Sequence, residues 1–261
     1  MNWIDSYYEA LEFFYFEPQH MRRKKKVNPE LQKAVKLAKT SSDFDTVKKR
    51  LRVMEVTLNH NINQFFFLAP DSLRNKVFEV VFGPAFEGTF RLHGREQSYF
   101  GRENVMQPDF LFTSEEAVVS IEMKVTSQSS IDQVMKYALL GFVLEKQEQE
   151  QQHKQHYLML LGRGSFMQQF KDGFRAEDDL KQAVTESVIS NFVFKNRKWL
   201  GDGKRFSEIF RAMKIASWNY QSFAKFLQEA RPSDLDKSLG AEVCRKLFDG
   251  LSEEFTLRKL A

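Results

Sequence analysis

The sequence predicts an α/β protein whose core runs helix, three strands, helix, strand, with helical extensions at the N- and C-terminal ends. Three observations predict it. Between Pro70 and Gly83-Pro84, Leu73, Val77 and Val81 recur on one helical stripe, and Asp71 can cap that helix, which runs to about Phe82. Three extended segments follow, near Thr89–His93, Pro108–Thr113 and Val118–Val125. A helix then starts around Ser129 or Ser130 and passes Leu144 into the Gln/Glu-rich stretch Lys146–Gln152, before an apolar strand, Tyr157–Leu161, stops at Gly162.

The flanks read differently. Ile4, Tyr7, Tyr8, Leu11, Phe14 and Tyr15 keep the rhythm of one helix face until Glu17-Pro18. Asn28-Pro29-Glu30 is a cap followed by proline at the first helical position. A third helix carries Val47, Leu51, Met54 and Leu58 on one stripe, and Asn59-His60-Asn61 interrupts it before the apolar run Phe65–Leu68. Beyond Gly162 the chain reads as mainly helical. The expected organisation is a helical N-terminal extension over 1–69, a core over 70–164 and a mainly helical region over 165–261 packed on the core. No internal repeat or flexible linker separates them.

Composition narrows the class. The 261 residues are 42% hydrophobic and 28% charged, ordinary for a globular chain with a sizeable core, and most of the 26 phenylalanines are expected inside it. The one cysteine, Cys244, excludes an internal disulfide and a cysteine-based zinc cluster, and a lone thiol fits a reducing compartment. The opening MNWIDSYYEALEFFYF lacks the form of a secretory signal, and no apolar run approaches the roughly 20 residues of a membrane helix. The expectation is a soluble, cytoplasmic protein without membrane contact, and the sequence leaves monomer and homo-oligomer both open.

Net charge is +4, unevenly spread. Arg22 to Arg52 holds twelve Lys or Arg against Glu30, Asp43 and Asp45, a balance of +9, so the remainder carries −5. The cluster Arg22, Arg23, Lys24, Lys25 and Lys26 opens this segment. Nucleic acid is the commonest acidic partner of such a segment, and a solvated lysine-rich helix surface is the alternative.

The residues that carry chemistry lie on the second and third strands. In Val119-Ser120-Ile121-Glu122-Met123-Lys124-Val125, alternation puts Ser120, Glu122 and Lys124 on one face and the apolar residues on the other. An edge strand with one wet face would show the same pattern. The preceding strand begins Pro108-Asp109, and hairpin pairing across Ser114–Ala117 brings Asp109 towards Glu122 and Lys124. Two neighbouring carboxylates repel, and a divalent cation relieves the repulsion while taking water and substrate phosphate. A lysine beside them can orient or deprotonate water and offset charge developing on phosphorus.

Pro108-Asp109 followed by Glu122-Met123-Lys124 resembles the PD…(D/E)xK signature of the restriction-endonuclease-like nuclease superfamily, over about residues 71–162. That superfamily's core has the element order read above. The resemblance implies an Mg²⁺- or Mn²⁺-dependent hydrolase cutting DNA phosphodiesters. Asp109, Glu122 and the Met123 carbonyl would bind the metal, and Lys124 would be the catalytic lysine. Gln133 and Tyr137, four apart on the next helix, resemble the QxxxY motif of RecB-like and lambda-exonuclease-like members, where the pair lies beside the active site. Many members add an acid from the first helix. Glu79 is the candidate and Glu87 its competitor. The rival reading is a nuclease-fold protein that binds nucleic acid or a protein partner without cutting, and a third is an unrelated α+β domain in which Glu122 and Lys124 form a surface ion pair.

Other signals read as structural. His20, His60, His93, His153 and His156 are scattered; His153 and His156 flank a polar stretch and could bind metal, but the expectation is exposed loop histidines. Lys195–Arg205 mixes five basic residues with Trp199, which suits phosphate contact and base stacking, but it reads first as a solvated loop.

Overall fold

The computed structural model describes residues 3–4, 52, 55–83, 86, 89–93, 108–148, 154–201 and 203–261. The chain divides into two compact units, one of residues 66–220 and one of residues 1–65 with 221–261.

The 66–220 unit is mixed α/β, built on a five-stranded sheet in the order β1-β2-β3-β4-β5. The strands are β1 (Arg91–His93), β2 (Phe110–Thr113), β3 (Ala117–Met123), β4 (Gln155–Gly162) and β5 (Lys214–Asn219). Strands β1, β2 and β3 pair antiparallel, whereas β3–β4 and β4–β5 are parallel. Parallel neighbours need a long crossover. Helix α3 (Ile131–Glu148) makes the first of these, following α1 (Glu55–Leu68) and α2 (Asp71–Phe82) in the chain. The second crossover contains α4 (Phe166–Gln169), α5 (Glu177–Ala183), α6 (Glu186–Lys195), α7 (Arg197–Leu200) and α8 (Lys204–Ala212). The order α2, β1, β2, β3, α3, β4 is thus the helix, three strands, helix, strand expected, and the sheet-bearing unit continues past it to Tyr220.

One sheet face packs Leu111, Val118, Leu158, Leu160 and Ile215 against α3 and its neighbours, among them Ala138 and Phe206. The other is aromatic: Phe112 meets Phe66 at 5.3 Å and Phe78 at 5.2 Å, and Tyr157 meets Phe86 at 4.7 Å. Full burial of a phenylalanine such as Phe66, Phe78 or Phe112 contributes roughly 1.5–3 kcal/mol. Every residue of β3 is buried. The strand is therefore central, and the edge-strand reading of its Glu122 face does not hold.

Three further readings change. The run Lys214–Asn219 falls where mainly helix is expected, yet it is the fifth strand, because pairing with β4 outweighs its weak local alternation. The Asn59-His60-Asn61 triplet does not interrupt α1. Leu58, Ile62 and Phe65 hold one buried helix face across it. His156 is not an exposed loop residue, since β4 starts at Gln155 and His156 is 6% exposed. Its ring lies over Gly141 of α3, where a Cβ would stand 2.7 Å from it. Gly141 is what admits the imidazole.

The second unit has its own core. Phe65 meets Phe223 and Phe248, each at 5.8 Å, and Phe223 of α9 (Tyr220–Ala230) meets Phe255 of α10 (Leu239–Leu257) at 5.4 Å. The buried Glu254 carboxylate accepts from Arg258 Nε at 2.6 Å and from Arg52 Nε at 3.3 Å. Among the described residues no helix is long and apolar enough to cross a membrane.

Candidate active site

The β2–β3 register positions the two acids. Phe110 pairs with Ile121, so Asp109 lies one step beyond the last ladder pair, opposite Glu122. Its Oδ2 accepts the Met123 backbone N–H at 2.8 Å, extending the ladder through a side chain. Glu122 sits on the face of β3 covered by α3 and is only 5% exposed. Such a buried carboxylate is costly unless its oxygens are satisfied.

Three donors satisfy it. Lys124 Nζ lies 2.5 Å from Glu122 Oε1, Gln133 Nε2 donates to the same oxygen, and the Tyr137 hydroxyl donates to Oε2. Gln133 and Tyr137 fall on one face of α3 by their i, i+4 spacing. The Asp109 backbone N–H also bonds the Tyr137 hydroxyl, which therefore joins the β2 and β3 sides of the site. Burial, then the negative charges of Glu122 and Asp109, hold the Tyr137 phenol well above its ordinary pKa, so it remains a donor.

Lys124 follows the last residue of β3, and its ammonium side chain keeps 16% of its surface in solvent. Its backbone is fixed from two sides: the N–H donates to Leu161 O at 2.8 Å, and its carbonyl accepts from the Tyr220 hydroxyl at 3.4 Å. No sequence motif marks Tyr220. The signal that could have found it is the strand just before it, whose own pattern is too weak to separate it from the surrounding helices.

The structure thus gathers Asp109, Glu122, Met123, Lys124, Gln133 and Tyr137. Glu79 does not join them. It is exposed in the last turn of α2, and among the described residues no group of three or more His, Cys, Asp or Glu side chains is arranged to hold a metal. Glu87 and the cluster Arg22, Arg23, Lys24, Lys25 and Lys26 lie outside the described residues. Asp109 and Glu122 offer hard carboxylate oxygens from paired strands, the donor type of Mg²⁺ or Mn²⁺. Two acids suit an ion that keeps water and takes substrate phosphate better than one caged by protein ligands.

A second polar cluster lies on the same face, further along α3. Glu145 accepts from Arg205 Nε at 2.9 Å and Nη2 at 2.8 Å, and lies 3.3 Å from His156 Nε2. Burial pushes its carboxyl up, but the His156 and Arg205 interactions outweigh this and lower it to about 2.

The chain matches no family model, no curated protein and no solved structure.

Proposed function

We propose that this protein is a metal-dependent nuclease that hydrolyses DNA phosphodiesters, with a core of the PD-(D/E)xK type. The observation that carries this reading is the convergence of Lys124, Gln133 and Tyr137 on the buried carboxylate of Glu122, with Asp109 opposite it in the β2–β3 register. The element order supports the same reading. A structural ion pair has no need of a second acid in register.

In this reading Asp109 and Glu122, with the Met123 carbonyl, hold Mg²⁺ or Mn²⁺. When bound, the cation polarises the phosphoryl group and makes coordinated water more acidic. Lys124 orients the attacking water and offsets negative charge at phosphorus. Gln133 and Tyr137 are positioning residues: they fix both Glu122 oxygens so that its carboxylate needs no reorganisation during the reaction. The Asp109 bond to Met123 N–H fixes the first acid against the backbone of the residue whose carbonyl would share the metal.

The test is cleavage of labelled single- and double-stranded DNA, with RNA as the comparison, in Mg²⁺, Mn²⁺ or chelator. Cleavage is expected with either ion and lost with chelator. Asp109→Ala and Lys124→Ala should each lower it at least about 100-fold while the circular dichroism spectrum stays that of the wild type. Full activity of Lys124→Ala would remove the lysine's role. A wild type that cuts no substrate would favour the second reading, a nuclease-fold protein that binds without cutting. The observation on that side is that Glu79 does not complete a three-acid group with Asp109 and Glu122.

A further inference from the structure

The segment 195–211 carries six basic residues (Lys195, Arg197, Lys198, Lys204, Arg205 and Arg211) against Asp202 and Glu208, a balance of +4. Lys195–Arg205 is largely exposed, as expected from sequence, but it is not one loop. It forms the end of α6, all of α7 and the start of α8. Gly203 makes the close approach of α6 and α8 possible. It has φ +75°, and a Cβ there would meet Val193 of α6 at 2.5 Å. Between the helices lies an open groove of about 690 Å³, whose wall includes Phe194, Arg197, Lys204 and Arg211. That volume is in the range of ligand clefts, roughly 300–1,000 Å³.

The lining is chemically specific. Its two acids are already engaged by arginines: Glu186 by Arg211, and Glu208 by Arg205 at 3.0 Å. Phe194 is 69% exposed. The Arg197 guanidinium lies over it, 5.4 Å from the ring centre. An exposed ring next to a cation, in a groove whose lining holds Arg197, Lys204 and Arg211 against Glu186 and Glu208, suits a ligand that alternates flat apolar faces with phosphates. In a duplex the base faces are stacked on each other and closed to a side chain. In an unpaired strand they are free, and stacking on an aromatic residue tolerates any base. The opposite side of α6 lines a cavity with Ile131, Asp132 and Met135 of α3, the turns that carry Gln133.

We infer that this α6–α8 groove binds an unpaired nucleic-acid strand, with Phe194 stacking on a base and Arg197 and Lys204 taking backbone phosphates. The inference rests on the nuclease reading only for its substrate class, because the groove's ring and cations are independent of Asp109, Glu122 and Lys124.

The experiment is fluorescence anisotropy of the full chain in chelator, with a labelled mixed-sequence 12-nucleotide single-stranded DNA and the matching duplex, across a salt series. Phe194→Ala should weaken single-strand binding about tenfold or more and change duplex binding less than about twofold. Arg197→Gln with Lys204→Gln should flatten the single-strand salt slope by about one unit or more, at roughly 0.7 for each phosphate engaged. Phe194 is exposed, so its loss should leave the fold intact, and an unchanged melting temperature verifies that. Single-strand affinity of Phe194→Ala equal to wild type, or equal losses on strand and duplex, would overturn the inference. The two readings fail separately. A chain that cuts DNA but binds the same without Phe194 loses only the groove, and one that shows the Phe194 effect but never cuts loses only the nuclease.

Discussion

At the residue scale the site turns on one buried carboxylate. Glu122 is tolerable in a central strand because Lys124, Gln133 and Tyr137 surround it. Tyr137 does most to join the parts, since its hydroxyl donates to Glu122 and accepts from the Asp109 backbone. Tyr137→Phe deletes both bonds and leaves a buried acceptor and a backbone donor short of a partner. It should cost about 1–3 kcal/mol, read from the urea-unfolding midpoint. The proposed nuclease activity should fall with it, as Glu122 loses its positioning. An unchanged midpoint would show that the phenol is dispensable to the network.

At the element scale α3 carries a polar ridge. Gln133, Tyr137, Gly141 and Glu145 recur every four residues and therefore share a face. Its first half serves Glu122, and its second half meets His156 and Arg205. Glu145 makes this second half sensitive to acid. Its carboxyl lies at about 2 in the folded chain, against an ordinary value of 4.5. A depressed carboxylate stabilises the fold above its unfolded-state value, and that contribution disappears as pH falls through the folded value. The stability advantage of wild type over Glu145→Gln should shrink as pH falls from about 4.5 to about 2. Urea titrations of both proteins at a series of pH values measure it. A difference independent of pH would show that the carboxylate's charge contributes nothing.

At the scale of the whole molecule charge is the informative quantity. The segment Arg22–Arg52 has a balance of +9 while the rest of the chain has −5. Lysines and arginines reaching backbone phosphates release condensed counterions without reading bases. Replacing Arg22, Arg23, Lys24, Lys25 and Lys26 by Ser or Gln should lower affinity for every DNA sequence alike. It should also flatten the log–log salt slope on duplex by about 0.9 for each phosphate that is no longer neutralised. Single-turnover cleavage at saturating protein should change far less, because the proposed chemistry lies on other residues. Parallel salt plots for the two proteins would assign the cluster to a solvated surface. The groove variants provide the contrast, since their effect is expected on unpaired strands.

The sequence by itself determined the order from α2 to β4, the nearness of Asp109 to Glu122, and the shared face of Gln133 and Tyr137. These follow from local rules: helical and strand periodicity, and a tight hairpin whose length sets its register. Only the tertiary structure decided the rest. Whether β3 was an edge or a centre depended on β4, which pairs with it from over thirty residues away, so an alternating pattern could not tell. Strand β5 is hidden in the sequence because Lys214–Asn219 has little alternation of its own and is held by parallel pairing with β4. His156 became a buried partner of Glu145 only because Gly141, on a different element, leaves space for its ring. The same holds for the α6–α8 groove. Its basic residues and Phe194 stand in the sequence, but the close approach of Gly203 to Val193 brings their helices together. Periodicity reports which face of an element is apolar. The element it meets is set by long-range packing, and that packing determines which polar side chains share one site.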